Sequence, residues 1–168
     1  MNETSLIIGN LCSLLAMVTD SVSATRKTAK GVLLVQCLSQ LIYGIGTVVL
    51  KGYSGAAQNL VSIIRNLVAI RQIKSKAVEW SLAALGVILG LCFNNLGWMG
   101  VLPVVANFQY TLAIFRFQDN ERALKTSFMV SIALFGIFNL AIFNIIGFCT
   151  NMVVTVTTAI YLIRTRSQ

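Results

Sequence analysis

GYSGAAQNLVSIIRNLVAIR, residues 52–71, decides how the rest of the chain is read. Between Ser54 and Ile70 only Arg65 carries a charge, and the surrounding run is long and apolar. A helix of about 20 such residues crosses a hydrocarbon core roughly 30 Å thick. Arg65 follows Ser54 by eleven residues, so it sits about 16 Å along that helix. A charge at that depth costs several kcal/mol and faces a protein interior or a wet cavity. Gln58, Ser62 and Arg65 share one helical stripe, and Asn59, Ser62 and Asn66 the next. The segment therefore spans a membrane and turns a polar face inward.

The whole chain agrees. It has 168 residues, of which 57% are hydrophobic and 11% charged, with a mean hydropathy of +0.81. A soluble domain carries about 25% charged residues, so this composition excludes a water-facing surface of ordinary polarity. It has no His, which removes the commonest zinc ligand and near-neutral proton relay. Cys12, Cys37, Cys92 and Cys149 are scattered singly through apolar runs and read as small buried hydrophobes. The opening MNETSLIIGN has no basic region, so a cleaved secretory signal is not expected. Neither a metal nor a cofactor is expected.

Apolar runs bounded by charges or turn residues give seven candidate spans. They are Thr4–Ala24, Gly31–Leu50, Ser54–Gln72, Val78–Asn94, Leu96–Phe115, Thr126–Phe143 and Ile145–Ile163. Backbone groups in hydrocarbon must bond to one another, which makes the spans helices. The fold class expected is an all-α membrane protein. Basic residues test the count. Arg26, Lys27 and Lys30 follow the first span, and only Lys51 follows the second. Arg71, Lys74 and Lys76 follow the third; none follows the fourth or sixth; Arg116, Arg122 and Lys125 follow the fifth; Arg164 and Arg166 end the chain. This alternation puts the N-terminus outside and the C-terminus in the cytoplasm. It also accounts for the net charge of +8 without a nucleic-acid partner, through attraction to anionic lipid.

Laid on itself at an offset of 92, the chain pairs spans two and three with spans six and seven. Ser39 meets Ser131, Gly44-Ile45 meets Gly136-Ile137, Gly55 meets Gly147, and Asn59 meets Asn151. Three spans starting outside end inside, and a single fourth span returns the chain. The second unit then enters as the first did, a parallel-repeat plan whose site lies mid-membrane between the repeats. The expected organisation is 3+1+3: residues 1–72, a linker helix in 73–95, and residues 96–168.

Gly52–Arg71, with NNLGWMGVLPVVANFQYTL (Asn94–Leu112), resembles the bacterial YgjV-type inner-membrane protein family, over nearly the whole chain. That family is similar to the PQ-loop group, which includes the SWEET sugar transporters and PnuC-type nicotinamide riboside carriers. The resemblance implies two three-helix bundles joined by a linker helix, in a bacterial inner membrane, and implies transport by relationship. The chain departs from the wider group in having no Pro-Gln dipeptide. Its sole proline, Pro103, lies in the fifth span near where that group places one. The counterpart position falls near Cys12, so a symmetric proline hinge is not supported.

Candidate solute-binding residues are Arg65, Asn59, Asn151, Ser62, Asn66, Gln40 and Asn107, with Gln36, Gln109 and Tyr110 secondary. For Arg65 the structural alternative is a residue that caps backbone carbonyls or pairs with a buried acid, and for the asparagines it is a lock between neighbouring helices. Asp20, about 24 Å down the first span, is the expected ion-pair partner of Arg65 or a coupling carboxylate. Its alternative is a solvated acid beside Arg26 and Lys27. Glu79 suits a helix N-terminus, and Pro103 is the candidate hinge. Three functions remain open: a carrier for a small polar solute, a non-transporting scaffold or accessory subunit, and an intramembrane enzyme. The third is disfavoured, because no Ser or Cys has a recognisable base partner. Expected partners are the lipid bilayer and a small polar solute, with a homo-oligomer left open and no nucleic acid.

Overall fold

The computed structural model describes residues 2–24, 28–73, 75–117 and 120–164. Of the basic residues counted above, Arg26, Lys27, Lys74 and Arg166 lie outside the described residues. The described chain is all helical: α1 (Glu3–Ala24), α2 (Ala29–Val49), α3 (Tyr53–Ile70), α4 (Lys76–Cys92), α5 (Trp98–Arg116), α6 (Glu121–Ala141) and α7 (Ile145–Arg164). No strand occurs among the described residues. Four helices are long and apolar enough to cross a membrane: α1, α5, α6 and α7. The apolar part of α2 is shorter, Leu33–Val49. α4 has 17 residues, and α3 is diluted by the polar face that Arg65 belongs to.

Side-chain caps set the starts of α2 and α6. Thr28 Oγ1 accepts from the Gly31 N–H at 3.1 Å, and Asn120 Oδ1 accepts from the Ala123 N–H at 2.9 Å. Each satisfies a donor that the first helical turn leaves open. This is why α6 begins at Glu121, ahead of its apolar run at Thr126.

Burial is inverted relative to a soluble protein. Ser39, Ser54, Gln58 and Thr111 are almost wholly buried, while Leu15, Ile88, Val153 and Ile163 are more than half exposed. Water would reverse that order. A hydrocarbon solvent favours it, since apolar side chains gain nothing by leaving lipid and polar ones must be paired inside.

The packing closes a cycle. α1 lies against α2, α2 against α3, α3 against α5, α5 against α6, α6 against α7, and α7 against α1. α4 stands apart from this series and covers the junction of α3 with α5. α2 touches both α1 and α3, and α6 touches both α5 and α7, so each of these sets of three helices is a row.

Two turns 92 residues apart have the same geometry, which the end of α3 at Gln72 (φ 55°) also takes. After α2, Lys51 takes φ 59°; its N–H reaches Val48 O at 2.9 Å and the Gly52 N–H reaches Thr47 O at 2.8 Å. After α6, Phe143 takes φ 59°; its N–H reaches Leu140 O at 3.1 Å and the Asn144 N–H reaches Asn139 O at 2.8 Å. Both are left-handed closures that satisfy the last helical carbonyls. An asparagine from elsewhere staples each turn. Asn95 donates to Lys51 O at 2.6 Å and accepts from the Tyr53 N–H at 3.3 Å. Asn10 donates to Phe143 O at 3.1 Å and accepts from the Ile146 N–H at 3.0 Å.

At this same end Leu50, Phe138 and Ile142 form a buried apolar cluster, with Leu6, Leu96 and Leu102 packed on it. Phe138 lies so close to Gly55 that an added Cβ there would sit 2.3 Å from its ring. The opposite end carries Lys30, Arg71, Lys76, Arg116, Arg122, Lys125 and Arg164. Lys51 is the single basic residue at the apolar-capped end among the described residues.

Candidate functional site

The buried face of α3 is built by spacing. Gln58, Ser62 and Arg65 recur every three or four residues and point at α4 and α5. Gln58 Nε2 donates to Gly86 O of α4 at 2.7 Å. Gly86 and Gly90 lack side chains at this crossing, and a Cβ on Gly90 would lie 2.3 Å from Gln58 Nε2. Gln58 Oε1 accepts from Asn107 Nδ2 of α5 at 2.8 Å, which leaves Asn107 Oδ1 facing Arg65. Arg65 Nη1 donates to that oxygen at 2.7 Å, and Ser62 Oγ lies 3.4 Å from it. A chain of neutral amides thus runs from α4 through α5 to a guanidinium on α3.

Arg65 is 6% exposed. Its guanidinium carbon stands 5.0 Å from the centre of the Tyr110 ring, within range of a cation–π contact. Tyr110 in turn packs against Phe128 of α6 at 5.6 Å. Arg65 Nε is buried and has no acceptor. No carboxylate pairs with Arg65 among the described residues; the ion pair found there joins Arg116 to Glu79 at 2.7 Å. That pair ties the end of α5 to the first turn of α4, each charge opposite in sign to its helix terminus. Arg116 also stands over Trp80 at 5.3 Å.

Asp20, the expected partner of Arg65, is directed elsewhere. Its carboxylate accepts from Ser39 Oγ, binding α1 to α2. α2 packs against both α1 and α3 and so stands between Asp20 and Arg65.

The structure gathers only part of the candidate set. Arg65, Ser62 and Asn107 form one cluster, with Gln58 and Tyr110 completing it. Asn66 turns toward Cys37 of α2. Asn59 lies against Gly44 and, with Gln40, lines a mostly apolar crevice of about 310 Å³ between α2 and α3. Asn151 lies on α7. It packs against Gly136 of its own neighbouring helix, as Asn59 does against Gly44. Both asparagines therefore occupy a glycine-made gap within their own row. Gln109 bonds Ser127 and joins α5 to α6. Pro103 is fully buried inside α5, where its missing N–H leaves one helical carbonyl without its usual donor.

Gln58 was legible as a member of the α3 stripe, though the hub role of its side chain was not. Asn10 and Asn95 were missed altogether, because an asparagine that staples a distant turn has no local signal.

These features define an integral membrane protein of the α-helical class, polar inside and apolar outside. Residues 7–168 match the family of bacterial inner membrane proteins of the YgjV type, and the chain belongs to that family. Its place is the bacterial inner membrane. No curated protein and no solved structure matches the chain.

Proposed function

We propose that this protein is a carrier for a small polar solute, with two parallel three-helix units, α1–α3 and α5–α7, joined by α4. The matched turns at Lys51 and Phe143, the matched Gly–Asn contacts and the cyclic packing support that organisation. The charge distribution supports a cytoplasmic placement for the basic end. The observation that carries the reading is Arg65: a cation with no paired carboxylate among the described residues, set where α3 meets α5 and therefore between the two units. A purely structural helix lock would not need a charge there, since neutral amides already join α3, α4 and α5. In this arrangement Leu50, Phe138 and Ile142 close the outer end, and access to Arg65 comes from the cytoplasmic side. Pro103 is the bending point of α5.

The test is solute flux into proteoliposomes across a panel of labelled metabolites. Saturable uptake that Arg65→Gln removes, at unchanged folded yield, supports the carrier. Absence of flux, with Arg65→Gln lowering yield, favours the scaffold reading. That alternative draws on one specific observation, the full engagement of Asn107 by Gln58, Ser62 and Arg65.

A further inference from the structure

From the hydrogen-bonding pattern of Arg65 we infer the chemical class of the solute: a small monocarboxylate, gripped by the free edge of the guanidinium. This rests on the carrier reading and deepens it. A guanidinium presents its N–H groups in a planar fork. Here Nη1 is committed to Asn107 Oδ1, and one face of the plane is turned to Tyr110. The remaining edge, formed by Nε and Nη2, makes no hydrogen bond to any described residue, and Nε is buried without an acceptor. That edge offers two parallel donors, the geometry that a carboxylate meets with two oxygens.

Charge sets the valence. The groups around Arg65 are Gln58, Ser62, Asn107, Tyr110 and Cys37, none of which carries a negative charge as the amide, alcohol, phenol or thiol. The positions that correspond to Arg65 and Asn66 in α7 are Thr157 and Thr158, so the second unit adds no charge. One anion neutralises the cluster, whereas a dianion would leave an excess charge in a medium that opposes it. Access agrees with this. Arg65 precedes Arg71 by six residues, about 9 Å along α3. At that end, Arg71 and Lys76 raise the local concentration of anions. The neutral links Gln58–Gly86 and Asn107–Gln58 hold the receiving oxygen of Asn107 still, so the guanidinium plane is set before the solute arrives.

The experiment uses the purified full chain in detergent, with acetate, L-lactate and pyruvate as probes and lactamide as the neutral counterpart of lactate. Calorimetric titration and thermal melting are the readouts. At least one carboxylate is expected to bind and raise the melting temperature, while lactamide does neither. Arg65→Lys should weaken that binding about tenfold by losing the paired donors, and Arg65→Gln should remove it. If Arg65→Gln does not fold, Asn107→Asp decides: it supplies a resident carboxylate to the same guanidinium, so the fold should persist and the response to the carboxylate should vanish. Failure of all three carboxylates, an equal response to lactamide, or an unaltered response in Asn107→Asp would overturn the inference. The two readings fail separately. Arg65-dependent flux of neutral solutes alone keeps the carrier and removes the carboxylate; carboxylate binding without any flux does the reverse.

Discussion

The α2–α3 and α6–α7 pairs share a plan and differ in what their last helix faces. Both close with a left-handed residue, Lys51 or Phe143, and both set an asparagine against a glycine of the preceding helix. Yet α3 buries nine residues, Ser54, Gly55, Ala57, Gln58, Asn59, Val61, Ser62, Arg65 and Asn66, whereas α7 buries only Gly147 and Leu162 among its described side chains. The reason is α4. It covers α3 and pairs the polar face through Gly86, while no equivalent helix covers α7. The cover that α4 gives α3 makes its polar face an interior where a charge can reside, while most of α7 stays outward-facing. Conversely, Met152 joins Asn151 in the gap at Gly136, whereas Asn59 alone lies at the gap of Gly44.

Moving the charge breaks the comparison most severely. Thr157→Arg puts in α7 the residue that α3 carries, but at an exposed position without α4 or Asn107. A central arginine facing lipid should cost about 3 kcal/mol, read as a loss of membrane-inserted, folded protein. Next comes Gly55→Ala, which drives a methyl into the Phe138 ring. Overpacking of this kind costs about 2 kcal/mol, and trimming Phe138 to Leu in the same chain should recover part of it in thermal melts. The turn staples follow: Asn10→Ala and Asn95→Ala should each cost about 1 kcal/mol. Because they hold separate turns, the double variant should be additive; strong coupling would mean the two units are one cooperative block at that end. Smallest are Lys51→Gly and Phe143→Gly, which relieve the left-handed backbone. Each should raise stability by at most about 1 kcal/mol, by similar amounts at both turns if the shared geometry carries a shared strain.

Much of the fold was legible because lipid imposes a simple rule on composition. Apolar runs gave all seven helices, with most boundaries within two residues and α6 beginning five residues ahead of its run at Thr126. That larger miss came from Asn120, since a side-chain cap lengthens a helix into polar sequence without any apolar signal. The candidate site was legible only along one helix. Gln58, Ser62 and Arg65 declared a common face by their spacing, but spacing within α3 says nothing about what stands opposite. Asn107 was named as a solute-binding candidate and became the direct partner of Arg65. Asp20 was the expected partner and instead serves the α1–α2 contact through Ser39. Depth along a membrane normal is additive in residue number, so it can be counted; the angular position of a helix around its neighbours cannot.

From residue order alone came the solvent, the helical state, the end that bears positive charge and the depth of Arg65, all of which depend on local runs and a fixed rise per residue. Tertiary packing alone decided that α4 covers α3, that Asn59 and Asn151 each pack against a glycine of the preceding helix, that Leu50 and Phe138 pack at one end, and that Arg65 meets Asn107 with no carboxylate paired to it among the described residues. Those outcomes depend on which helices become neighbours, a matter of shape at glycine gaps such as Gly55, Gly86 and Gly90 and of pairing between residues far apart in the chain.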